Sequence, residues 1–288
     1  MSQKTSPLST LVVQGREFLI KRDELFDPYL SGNKYRKLHK LLHTPSGKYK
    51  TIISYGGTQS NAMLALAALC KEKKWHFIYY TKKIAQIQKE QTIGNFFQAL
   101  TFGMEHRELE NELYRDFIAT LDINLDADSY LVHQGGADSI AREGLEVLAQ
   151  EIREQNPDVK SVATPSGTGT TALYLALALK EYTVYTTPSI GDVAYLKEQM
   201  RALSAIPDNL VILEPAKKYH FAKPYKEFYE IYCETKEAGI EFDLLYAPSL
   251  WLTLLQLTRE KILYVHSGGV SGNESMLERY KKKGFVSL

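Results

Sequence analysis

The chain is short of cysteine, of net charge and of long apolar runs, and each shortage removes a class of function. Its 288 residues include two cysteines, Cys70 and Cys233, with no Cys-x-x-Cys pair. Neither a disulfide framework nor a zinc site is expected from that spacing. Lys and Arg number 35 against 34 Asp and Glu, a net charge of +1, so no field gathers nucleic acid or an acidic membrane surface. The lysine patches at 71–74 and 281–283 fall at expected helix ends, where cations complement the macrodipole, and read as solvated faces. The longest apolar run, 62–70, is far too short to cross a bilayer. The first residues lack the apolar core of a signal peptide, and a reducing, cytoplasmic setting is the expectation. Three signatures are also missing: the Gly-x-x-x-x-Gly-Lys-Ser/Thr of a P-loop, the full Gly-x-Gly-x-x-Gly of a dinucleotide site, and the Gly-x-Ser-x-Gly elbow of a hydrolase.

What is present is a regular alternation. Strands are predicted at 17–21, 51–55, 75–81, 129–133, 161–164, 183–186, 210–213, 242–246 and 262–266, with helical segments between most of them. This argues for an α/β fold with parallel sheets, and the length suggests two domains. Gly56-Gly57, Gly135-Gly136, Gly167 with Gly169, and Gly268-Gly269 each follow a predicted strand. Singly each reads as a tight turn. Together, at the carboxyl ends of parallel strands where ligands bind, they suggest a small ligand between two lobes. One lobe is expected over 38–134 and the other over 1–37 plus 135–288.

Ser31-Gly-Asn-Lys-Tyr-Arg-Lys-Leu38 is the stretch around which the rest is organised. Asn33 is a good helix cap, and Tyr35, Leu38, Leu41 and Leu42 share one helix face. Lys34 then falls in a first helical turn, where the macrodipole disfavours its charge. A lysine that must attack a carbonyl gains from that setting, because the neutral amine is the nucleophile; a solvated surface lysine is the plainer alternative. Ser166-Gly-Thr-Gly-Thr-Thr171 opens a helix after a strand. Its amides and hydroxyls suit one phosphate, or it is an ordinary capped helix start. Ser60 and Asn61, in Gly56-Gly-Thr-Gln-Ser-Asn61, begin another helix, with Ser60 a cap or a substrate contact. His39 and His43 are four apart but lack a third ligand, so no metal is expected. His133 and His266 end strands beside Gly-Gly pairs, lining the cleft or lying in the core.

These three motifs, with His266-Ser-Gly-Gly269, occur in the order and spacing of a known family. The chain resembles the 1-aminocyclopropane-1-carboxylate deaminase / D-cysteine desulfhydrase family, pyridoxal-phosphate enzymes of the tryptophan-synthase-β fold, over most of its length. The resemblance implies pyridoxal 5'-phosphate as cofactor and Lys34 as its Schiff-base lysine. Lys37 would reach the phosphate, and the loop of Gly167, Thr168, Gly169, Thr170 and Thr171 would cradle it. Asn61 would meet the pyridine hydroxyl and Ser267 the pyridine nitrogen. Ser60, Tyr246 and Tyr225 would stand on the substrate side. It implies a lyase that turns a small amino acid into a 2-oxo acid and ammonia, as a homodimer. A binding protein with little turnover, or an amino-acid racemase, are the alternatives. The chain departs from the family pattern at Ala62, at Lys226-Glu227 after Tyr225, and at Ala247-Pro248 after Tyr246, all near the substrate.

Overall fold

The computed structural model of the chain describes residues 5–90, 92–155 and 157–285. Ten strands, β1 (Leu8–Val13), β2 (Arg16–Lys21), β3 (Thr51–Tyr55), β4 (His76–Lys82), β5 (Met104–Leu109), β6 (Ser129–Val132), β7 (Ser161–Ala163), β8 (Thr183–Thr186), β9 (Leu210–Ile212) and β10 (Ile262–Val265), form two sheets. The smaller has the order β5-β4-β3-β6 and is parallel throughout. The larger has the order β1-β2-β10-β7-β8-β9, and only its β1–β2 hairpin is antiparallel. That hairpin turns on Gln14 and Gly15, both at positive φ, the twist a two-residue hairpin loop favours.

Parallel strands need helical crossovers, and the apolar periods supply them. The Asn61–Lys73 helix is buried along most of its length because it fills the smaller core, packing Met63 and Leu66 against Ile52 and Phe77. In the larger core Phe18, Phe242, Trp251 and Tyr264 interlock, with the Trp251 and Tyr264 rings stacked at 4.6 Å.

Three sequence expectations are corrected. The helix expected from Asn33 through Leu42 breaks at Leu38 (φ −92°, ψ 11°) into Asn33–Lys37 and His39–His43, and Gly32, not Asn33, is the cap. No strand forms at 242–246. The Asp243 carboxylate accepts from the backbone N–H groups of Leu245 and Tyr246 at 3.0 and 2.6 Å, which closes a turn into the Ala247–Leu257 helix and leaves those donors unavailable to a sheet. Two strands, β1 and β5, were not expected at all; both are sheet edges.

Candidate active site

The carboxyl ends of both sheets face one cleft of 310 Å³. It is lined by Lys34, Lys37, Ser60, Asn61, Gly167–Thr171, Tyr246 and Ser267 among others. Of the site residues expected from the sequence, only Tyr225 does not line it. Tyr225 begins the Lys226–Glu237 helix, and its hydroxyl accepts from the His220 N–H at 2.9 Å. Phe221, four residues earlier, stands in the cleft instead, with its ring 5.3 Å from that of Tyr246. His133 and His266 do not line it either. His266 is a core residue: its Nε2 bonds the Glu241 carbonyl and its Nδ1 accepts from the Gly268 N–H, at 2.9 and 3.0 Å. Burial lowers its pKa and keeps the ring neutral, in the tautomer with the proton on Nε2.

Lys34 is set by a backbone joint. Gly32 adopts φ +57°, and a Cβ there would lie 2.1 Å from the Ser267 carbonyl, so no other residue fits. The Asn33 N–H donates to that same carbonyl at 3.1 Å, and Lys34 Nζ donates to Asn33 Oδ1 at 2.8 Å. Desolvation by the cleft walls pushes the Lys34 amine down to about 8, against the nearby Asp243 carboxylate, which favours the charged form. Asp243 itself is pushed up to about 6 by burial. Lys37 is buried, with Nζ on the Gly135 carbonyl at 3.1 Å; burial, then the charge of Lys34, hold its pKa well below the usual lysine value.

Across the cleft, Gly169 takes φ +78° and starts the Thr170–Ala178 helix. A Cβ at Gly169 would meet Met200 at 2.6 Å. The Thr168 and Thr170 hydroxyls pair at 2.9 Å, while the Thr171 hydroxyl is buried without a partner. Ser60 caps the Asn61–Lys73 helix by accepting from the Met63 N–H at 3.2 Å, and its hydroxyl also hydrogen-bonds the buried Tyr79 hydroxyl. None of the described residues that line the cleft is acidic, and its two cations are Lys34 and Lys37.

Sequence reasoning named the Lys34 motif but missed what holds it. Arg36 is buried, gripping Asp23 through Nε and Nη2 at 2.9 and 2.8 Å and Glu151 through Nη1 and Nη2 at 2.6 and 2.8 Å. Lys21, also fully buried, reaches Glu151, Gln155 and the Ser6 carbonyl at 2.9, 2.8 and 2.7 Å. Two cations thus face two carboxylates beneath the turn that carries Lys34 and Lys37. The Ala141–Gln155 helix comes close enough to do this at Gly144, where a Cβ would lie 1.9 Å from the Arg36 carbonyl.

The family described as pyridoxal-phosphate dependent enzyme matches residues 5–202. Among curated proteins, the chain is 26% identical to the D-cysteine desulfhydrase of Serratia proteamaculans, over 93% of this chain and 90% of that one. It is also 26% identical to the mitochondrial bifunctional D-cysteine desulfhydrase/1-aminocyclopropane-1-carboxylate deaminase of Arabidopsis thaliana, over 90% of this chain and 73% of that one. Among solved structures, one described as an ACC deaminase homologue superposes with a TM-score of 0.80 at 22% identity, covering 96% of this chain and 94% of that one.

Proposed function

The chain belongs to the pyridoxal-phosphate-dependent enzymes, and from that premise we propose that it is a lyase of the deaminase/desulfhydrase type, converting a small neutral amino acid to a 2-oxo acid and ammonia. The observation that carries the reading is the pairing of Lys34, an amine made easy to neutralise by desolvation, with a lysine-free loop of amides and hydroxyls across a cleft that no acidic side chain lines. The donor set fits a phosphate-bearing aldehyde: the unpartnered Thr171 hydroxyl and the glycine-bounded cradle suit the phosphate, and Lys34 suits the carbonyl.

In this reading Lys34 holds the cofactor covalently, and Lys37, Gly167, Thr168, Gly169, Thr170 and Thr171 hold its phosphate. Asn61 and Ser267 face the ring. When bound, the cofactor supplies an electron sink for the pair left as a bond at the substrate α-carbon breaks. Lys34 Nζ moves the proton at that carbon. The start of the Asn61–Lys73 helix, which borders the cleft at Ser60 and Asn61, takes the substrate carboxylate. Ser60 Oγ and Tyr246 Oη hold and pass protons at the substrate's far end; neither is a base unaided, since burial raises the Tyr246 pKa, and each acts through Lys34. Phe221, Ile190 and Pro165 make the remaining wall apolar. That wall, with no carboxylate or guanidinium, favours a neutral side chain.

The test is release of 2-oxo acid from small D- and L-amino acids and 1-aminocyclopropane-1-carboxylate, with chiral analysis of the unreacted substrate. Release from a neutral member and none from glutamate or lysine is expected. A coloured protein that releases nothing would make it a binding protein, and racemised substrate would make it a racemase. Ser60→Ala and Tyr246→Phe are expected to keep the coloured cofactor and lose ~10²–10⁴ in turnover. Full turnover in both would remove them from the chemistry.

The lowered pKa of Lys34 has its own signature. Only the neutral amine attacks, so capture of added pyridoxal phosphate should speed up as pH rises and level off above a midpoint near 8. Stopped-flow spectra across pH measure this; a midpoint near the ordinary lysine value of 10.5 would show that Lys34 is not desolvated.

A further inference from the structure

The hydrogen bonds around Asn61 single out a residue that the cleft itself does not display. Asn95, at the start of the Gly94–Thr101 helix, is 1% exposed and is not among the residues lining the cleft. Its Nδ2 donates to Asn61 Oδ1 at 2.7 Å and to the Gln59 carbonyl at 3.3 Å. Its Oδ1 accepts from the Ser271 hydroxyl at 3.1 Å.

The orientation of both amides follows from chemistry. A backbone carbonyl can only accept, so the Asn95 atom facing Gln59 must be the nitrogen. That same nitrogen faces Asn61, so Asn61 must answer with its oxygen. The Asn61 nitrogen is thereby turned away from Asn95, over Gly269, where a Cβ would lie 2.2 Å from it. Gly269 therefore leaves the space that this orientation occupies. Ser271 follows β10 of the larger sheet, while Asn61 and Asn95 belong to segments packed on the smaller one. The chain of bonds thus crosses from one sheet's loops to the other's.

We propose that Asn95 is a positioning residue for the cofactor: it fixes the Asn61 amide with its N–H group toward the cleft, so that Asn61 meets the ring oxygen of pyridoxal phosphate as a donor. The proposal rests on the reading of Asn61 given above and adds the residue that sets its polarity. Without Asn95 the amide is free to turn, and half of its orientations present an acceptor to an oxygen that is itself an acceptor.

A double-mutant cycle on the full chain tests this, with equilibrium dialysis of pyridoxal phosphate as the readout and thermal unfolding without cofactor as the check on folding. Asn95→Ala is expected to weaken binding roughly 3–10-fold, the range of one neutral hydrogen bond. In an Asn61→Ala background the same substitution should change binding less than about 1.5-fold, because the group it orients is gone. The isosteric Asn95→Asp, which has no donor, should weaken binding more than the alanine does, by turning the Asn61 nitrogen toward itself. Ser271→Ala serves where either variant fails to fold, and should show a smaller loss with the same dependence on Asn61. Equal losses with and without Asn61, or no loss for Asn95→Ala and Asn95→Asp, would overturn the assignment. A wild-type chain that takes up no pyridoxal phosphate would overturn both it and the reading beneath it.

Discussion

Lys34→Ala is expected to yield a folded, colourless protein whose turnover on any active substrate falls at least ~10³-fold, since it loses both the covalent nucleophile and a positioned proton carrier. The other amine lining the cleft, Lys37, does not replace it. Its Nζ is tied to the Gly135 carbonyl, and it lies one helical turn further from the joint that presents Lys34. Folding should be spared, because among the described residues Lys34 Nζ hydrogen-bonds only to the neighbouring Asn33. Removing a desolvated amine costs little, and stability without cofactor should stay within ~0.5 kcal/mol. The measurements are the visible spectrum after dialysis and peptide mapping after borohydride reduction. Wild type should carry one modified lysine, at position 34. A retained visible band in Lys34→Ala, or a reduced adduct on Lys37, would move the assignment.

The second large effect concerns stability. Arg36→Ala removes one cation from a buried group of two cations and two carboxylates, leaving Asp23 and Glu151 with Lys21 alone. Breaking a buried pair in this way costs ~3–5 kcal/mol, because a charge is left uncompensated. Urea unfolding should show it directly. In the wild type Arg36 and Lys21 hold Glu151 below the ordinary carboxylate range despite its burial. A depressed carboxylate stabilises the fold above its unfolded pKa and stops doing so as pH falls through its folded one. In the variant the sign reverses: Glu151, still buried but without Arg36, takes up a proton more readily when folded than when unfolded. The gap between the two proteins should therefore narrow as pH falls from 7 toward 5. A gap that stays constant or widens would mean that Arg36 contributes by packing rather than by charge.

The legible part of this molecule was what the chain writes locally. Buried parallel strands read as short apolar runs, as at 51–55 and 183–186, and both are found. Lys34, Ser60 and the 166–171 loop sit at helix starts whose residues announce themselves through caps and glycines, and all of them border the cleft. The misses have physical causes. Met104–Leu109 carries Glu, Arg and Glu on a sheet edge, where one side faces water and no apolar run is needed. The apolar stretch at 242–246 looks like a strand until one asks where its N–H groups go, and Asp243 takes two of them. Tyr225 and Phe221 lie on the same connection, and spacing alone cannot say which ring turns inward. The Arg36 network joins residues 13 and 115 positions apart, and nothing in the neighbourhood of Arg36 records its partners.

The joint between Gly32 and Ser267 ties this site to the order in which the chain is made. Lys34 leaves the ribosome early, while the loop that seats it leaves only after β10, the strand that also joins β2 to the larger sheet. At ~5–20 residues per second the interval is roughly 10–50 s. Throughout that time the lysine belongs to a segment with no Ser267 carbonyl to dock on, and β2 has only β1 beside it. Competence to hold the cofactor is therefore acquired near the end of synthesis. A nascent chain stalled before β10 carries the reactive amine but not the site.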